Sequence, residues 1–151
     1  MSNLAIDIKG LTKSYGEVQA LKGVDISIKK GEFFGLLGPN GAGKTTTINI
    51  LTGLVFKENG STKVFGRDTI KDFRFTRSQI GIAAQEFSVD WFFPIEKLLF
   101  FQAGYYGIKA KDAKPTVDSL LDRLGLSSKR NSRLRQLSGG MKRRFQIAKA
   151  L

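Results

Sequence analysis

Gly38-Pro39-Asn40-Gly41-Ala42-Gly43-Lys44-Thr45 matches G-x-x-x-x-G-K-[ST] at every fixed position, and the reading of the whole chain starts there. Glycines let a backbone curl so that several N–H groups point inward, which makes a seat for phosphate oxygens. The positive end of a following helix adds a fixed favourable field. In such a loop Lys44 sets an ammonium against the β- and γ-phosphates, and Thr45 offers a hydroxyl to magnesium. At average residue usage a chance match arises about once in two hundred chains of this length.

The flanks agree with the loop. Phe33–Leu37 is a continuous apolar run, the pattern of a strand covered on both faces. After the loop, Ile48, Leu51, Thr52 and Val55 fall at helical spacing, so Thr45–Thr52 is expected to be a helix that Gly53 stops. Upstream, Leu4, Ile6 and Ile8 alternate with polar or small residues, and so do Val24, Ile26 and Ile28. Both stretches have the period of two of half-buried strands. Lys30-Gly31 reads as a turn into the apolar run. Ser61–Phe65, closed by Gly66, reads as a further strand, and Ile80–Ala84 as a short buried one ending at Gln85. From Ile95 the pattern becomes helical. One helix begins around Leu98, Phe101 and Gln102 and is ended by Gly104 or Gly107. Another carries the stripe Val117, Leu120, Leu121 and Leu124, with Pro115 expected in its first turn. A last helix starts at Gly139-Gly140 and presents Met141, Phe145 and Ala148 on one face.

Composition narrows the chemistry. A hydrophobic fraction of 41% with 17 glycines fits a globular α/β protein, and no apolar stretch reaches the roughly 18–20 residues that span a bilayer. The sequence has neither cysteine nor histidine, so thiolate and imidazole chemistry are excluded within it, and a metal would need oxygen ligands, as magnesium does. The start of the chain lacks the layout of a signal peptide, so the expected location is the cytosol. The formal charge of +12, from 25 basic and 13 acidic residues, points to polyanionic partners or to an acidic complement in a further part of the protein.

Leu137-Ser138-Gly139-Gly140-Met141 is a second constellation. Ser138 supplies a hydroxyl at a helix N-cap, and the two glycines leave backbone N–H groups uncovered, which again suits an anion. This segment resembles the signature motif of ATP-binding cassette proteins, in which Ser and Gly contact the γ-phosphate of ATP held by the opposite subunit. Gln85 matches the family's Q-loop glutamine, which senses magnesium and the γ-phosphate, and Tyr15 matches the aromatic residue that stacks on adenine. The resemblance covers essentially the whole chain. Met141 stands where the family usually has glutamine, and Leu-Ser-Gly-Gly-Met with basic residues after it resembles the single-cassette branch serving multidrug and polysaccharide exporters. Gln102–Gly107 resembles that branch too. Lys142, Arg143, Arg144 and Lys149 read as a solvated helix face, Arg144 being the structural member. Phe87, Trp91, Phe92 and Phe93 read equally well as core or as the grip on a membrane domain.

The resemblance implies an α/β fold, a P-loop NTPase (RecA-like) core with an antiparallel β-subdomain and an α-helical signature subdomain. Residues 1–85 would form the nucleotide-binding part and residues 86–151 the helical part. ATP would lie on Tyr15, Gly38, Pro39, Asn40, Gly41, Ala42, Gly43, Lys44, Thr45 and Thr46, with Ser138, Gly139 and Gly140 serving ATP as well, and Mg2+ on Thr45 and Gln85. The implied partners are a second copy, forming a homodimer, and a transmembrane permease subunit, at the cytoplasmic face of the membrane. The family's Asp-Glu strand end and later histidine match no residue, so the chain is expected to stop short of the Walker B strand, to bind nucleotide without turning it over, and to self-associate through uncovered strand edges. A cassette ATPase without membrane partners, working on ribosomes or DNA, is the alternative. Such proteins usually carry long insertions between the two motifs, and the interval is compact, so a nucleic-acid partner is disfavoured.

Overall fold

The computed structural model describes residues 3–84 and 92–151. The chain divides into two units, Met1–Ile80 and Gly81–Leu151.

The first unit is built on a long hairpin, β1 (Leu4–Tyr15) and β2 (Val18–Lys29), joined by Gly16-Glu17. Both strands run further than the alternation at their outer ends suggests. Strand β1 also pairs with β3 (Asn59–Val64), which pairs with β4 (Arg67–Asp68), so the antiparallel order is β2-β1-β3-β4. Simple alternation would send Ile8 and Leu11 to opposite faces. Register shifts around Leu11 remove that conflict, and both residues are buried with Leu21 and Ile50. The Asp25 carboxylate accepts from the Gly10 amide at 2.6 Å beside this irregularity. Helix α1 (Lys44–Thr52) rests on the sheet through Ile50 and Leu51 and ends at Gly53, whose φ of 76° supplies the left-handed stop read from the sequence. A short helix, α2 (Phe73–Ser78), follows β4 and carries no apolar stripe that would have announced it.

Two expectations fail. Phe33–Leu37 and Ile80–Ala84, read as buried strands, join no sheet among the described residues. Phe33 is fully exposed and Leu37 is 92% exposed. A run apolar on both faces becomes a strand only with hydrogen-bonded neighbours. The four strands present satisfy one another in a separate antiparallel sheet, leaving none for these runs. The α/β class stands, with the sheet in the first unit and a helical second unit.

In the second unit, α3 (Ile95–Tyr105), α4 (Ala110–Arg123) and α5 (Gly139–Ala150) close over Leu98, Leu121, Leu126, Leu134 and Phe145. Gly104 lies inside α3, and Gly107, at φ 76°, follows its end. Helix α4 starts earlier than its leucine stripe, so Pro115 sits inside it and not in the first turn. Its ring is on the exposed face, where water can take the carbonyl that lost its helical donor. One guanidinium ties the helices together: Arg130 donates to Glu96 at the start of α3 and to Asp118 of α4, both at 3.1 Å.

Candidate nucleotide-binding site

The loop between Gly38 and Lys44 owes its shape to two left-handed glycines and one seat. Gly41 has φ 84° and Gly43 φ 80°, a region that side chains disfavour. A Cβ on Gly43 would strike the Leu21 side chain and lie 2.7 Å from the Ala20 carbonyl oxygen, so β2 supports the loop directly from below. The Ala42 amide donates to the Pro39 carbonyl at 3.2 Å, closing a tight turn.

Gly43 is the N-cap of α1, and Lys44 its first residue. The Lys44 ammonium turns back to donate to the Gly38 and Pro39 carbonyls, both at 2.7 Å, which pins its charge at the loop's entrance. The first amides of a helix have no partner within it. Those of Lys44, Thr45 and Thr46 therefore add their positive end to the same place, and no acidic residue sits in the first turn to offset it. Thr47 is turned inward, its hydroxyl donating to the Gly43 carbonyl at 3.0 Å, whereas Thr45 and Asn40 are exposed. Amides, one ammonium and an exposed hydroxyl without a carboxylate form a donor set suited to phosphate oxygens. Among the described residues no cluster of three or more carboxylates could cage a metal ion. Magnesium would have to share Thr45 with phosphate oxygens, as it commonly does.

Tyr15 ends β1 with half its surface exposed, and the Lys13 ammonium lies 5.4 Å from its ring centroid. Its partner across the hairpin is Val18. Ala20, which supports Gly43, is two residues further along β2, about 7 Å of extended chain. The hairpin thus brings Tyr15 to the neighbourhood of the loop. Glu58 accepts from the Ser14 amide at 2.9 Å and from the Ser14 hydroxyl, fixing the end of β1 beside it.

In the second unit Ser138 is the N-cap of α5, its hydroxyl accepting from the Met141 amide at 3.3 Å. Gly139 and Gly140 are exposed, and a Cβ on either would meet no atom of the described residues, so no contact among them requires glycine there. Gln85, Phe87 and Trp91 lie outside the described residues. Phe92 is exposed, while Phe93 packs against the core, edge-on to Phe101 at 5.3 Å.

The basic face of α5 is less uniform than its sequence suggests. Arg144 donates to the Leu124 carbonyl at 2.6 Å and so caps α4, the structural role expected of it. Arg143, expected to be solvated, donates to the Ala84 carbonyl at 2.9 Å and to the Gln146 side chain at 3.1 Å. The seat formed by Ala20 and Leu21 was also missed, and no local pattern could have revealed either contact.

Residues 21–151 match the family described as ABC transporter. The chain is 38% identical over all 151 residues to the Nod factor export ATP-binding protein I of Rhizobium sp. (strain N33), and equally to that of Burkholderia orbicola (strain AU 1054). It spans 50% of the length of each. Among solved structures it is similar to an ATP binding subunit of an ABC transporter, with 26% identity, a TM-score of 0.85, and coverage of 97% of this chain and 61% of that one. It is equally similar to cbiO1 from Clostridium perfringens, part of the ABC transporter complex cbiONQ, at 26% identity and TM-score 0.85, covering 99% of this chain and 62% of that one.

Proposed function

This chain belongs to the ABC transporter family, and on that premise we propose that it is the ATP-binding part of a transporter subunit, holding the triphosphate in the loop Gly38–Thr46. The observation that carries this reading is the meeting of three things at one point: left-handed glycines seated on β2, an uncompensated helix start, and an ammonium already held at the loop's mouth. Tyr15 offers its exposed face to the adenine ring, and Thr45 its hydroxyl to Mg2+. Bound Mg2+ would neutralise charge on the phosphates. The chain's own part is to orient them through the amides of residues 43–46 and to hold Lys44 against them.

Ser138, Gly139 and Gly140 serve the γ-phosphate of ATP carried by a second copy. Uncovered glycines and a capped helix start without acidic residues support that role. The whole protein works as a dimer docked peripherally on a transmembrane permease at the cytoplasmic face, and export is the direction that the Nod factor relatives suggest. Hydrolysis belongs to that assembly. Within this chain Glu58 is bonded to Ser14 and Glu96 to Arg130, so neither is poised as a base.

Titration of the chain with a fluorescent ATP analogue tests the reading. A charged hydrogen bond contributes about 1.5–3 kcal/mol, so Lys44→Ala is expected to weaken binding roughly ten- to a hundredfold. Equal affinity in the two proteins would remove Lys44 from the site. Phosphate release by the chain should stay at the level of the Lys44→Ala variant.

A further inference from the structure

Strand β1 loses its second neighbour just before it reaches Tyr15. Its pairing with β3 ends at Thr12 and Asn59, and the Glu58 amide still donates across that edge to the Thr12 carbonyl at 3.1 Å. Two residues on, the Ser14 amide points to the same edge, because backbone polar groups alternate sides along an extended chain. Among the described residues no strand continues there to meet it. The Glu58 side chain does so instead. One carboxylate oxygen accepts from the Ser14 amide at 2.9 Å and the other from the Ser14 hydroxyl at 3.2 Å. On the opposite edge β2 places Gln19 against Ser14 and Val18 against Tyr15. The end of β1 is thus held from both sides, with a side chain standing in for a strand.

Glu58 is in turn tied to the helix of the phosphate loop. Residues 53–57 join it to the end of α1, and the amides of Leu54 and Val55 both donate to the Asn49 carbonyl, at 2.8 and 3.1 Å, which keeps that turn tight. One stretch of chain therefore begins at Lys44 and ends by gripping the residue before Tyr15. We propose that Glu58 is a positioning residue, which fixes Tyr15 at a set distance from the phosphate loop so that one nucleotide can touch both. This rests on the reading of Tyr15 as the platform for adenine. A bare triphosphate needs only the loop, whereas a nucleoside triphosphate gains from stacking in full only where the ring is already held in place. Glutamine at position 58 would keep one oxygen for the Ser14 amide, and alanine would keep neither bond.

Competition against the fluorescent ATP analogue separates base from phosphates, with ATP and inorganic tripolyphosphate as the competitors. Tyr15→Ala and Glu58→Ala are each expected to bind ATP roughly three- to tenfold less tightly than the parent, and tripolyphosphate within about twofold of it. Glu58→Gln should fall between parent and alanine variant. Because Glu58 acts through the ring, the double variant should bind ATP no more weakly than Tyr15→Ala alone. The contact also has a readout without nucleotide. The sequence contains a single Lys–Ser bond, Lys13–Ser14, so carbonyl-13C lysine with 15N serine gives one correlation peak, for the Ser14 amide. Its hydrogen exchange should quicken in Glu58→Ala. Unchanged exchange overturns the contact. Equal losses for ATP and tripolyphosphate in Glu58→Ala, or additive losses of ATP affinity in the double variant, overturn the positioning role. ATP affinity lost in Tyr15→Ala but kept in Glu58→Ala sinks the proposal alone, whereas ATP affinity kept in Tyr15→Ala sinks the adenine reading and the proposal with it.

Discussion

Gly43 meets two demands at once: a φ of 80° and a backbone pressed against Ala20 and Leu21. A left-handed alanine costs about 1–2 kcal/mol, and its methyl would also have to displace a strand carbonyl. Gly43→Ala should therefore lower the midpoint of urea unfolding of the first unit and weaken nucleotide binding together, whereas Lys44→Ala should leave the midpoint nearly unchanged. Arg144→Ala should destabilise the second unit by about 1–2 kcal/mol, since a charged donor to the end of α4 is lost. Thermal unfolding followed by circular dichroism would show it. At this scale the sequence announces chemistry well, because the glycines, Lys44 and Ser138 act through the backbone next to them. It is silent on the seat beneath Gly43 and on Arg143 and Ala84, whose meeting depends on how distant segments pack.

Helices α3 and α4 are joined by the fork of Arg130 on Glu96 and Asp118, with Lys114 also donating to Asp118 at 2.8 Å. The Lys114 hydrogen bond, and then the Arg130 one, hold the Asp118 carboxyl below its ordinary value of 3.8. A folded-state value below the unfolded one means that this contribution is complete above about pH 4. It is lost as pH falls through the lower folded value. Urea midpoints measured at pH 7 and near pH 3 should converge in part for Asp118→Asn relative to the parent. Added salt should reduce the difference, because the group is solvent-exposed. Elements with a clear apolar period, α4 and α5 above all, were legible at their buried faces. Their starts were less so, since the turn before Pro115 carries polar residues that only the finished helix places on a solvated side.

Across the whole molecule, the sheet and the helical unit each bury a core of their own, while Phe33–Leu37 leaves a run of large apolar side chains in water. An exposed apolar segment outside the sheet invites pairing with another chain. Light scattering should detect self-association of the parent, and Phe33→Ser with Leu37→Ser should reduce it. A parent that stays monomeric at all concentrations would argue that the run is harmless. The α/β class was readable from the alternation of β1 and β2 and from the later helical stripes. The two apolar runs were misread because burial on both faces is a property of a strand's neighbours, which a run's own letters cannot supply. The same stretch has a bearing on handling the protein. Chymotrypsin-like enzymes bind their substrates as extended chain and favour large apolar side chains at the cut, so brief digestion should open the backbone between Phe33 and Leu37 first and give an early N-terminal fragment on a denaturing gel, while the pairing of β1 with β3 holds the nicked hairpin in place.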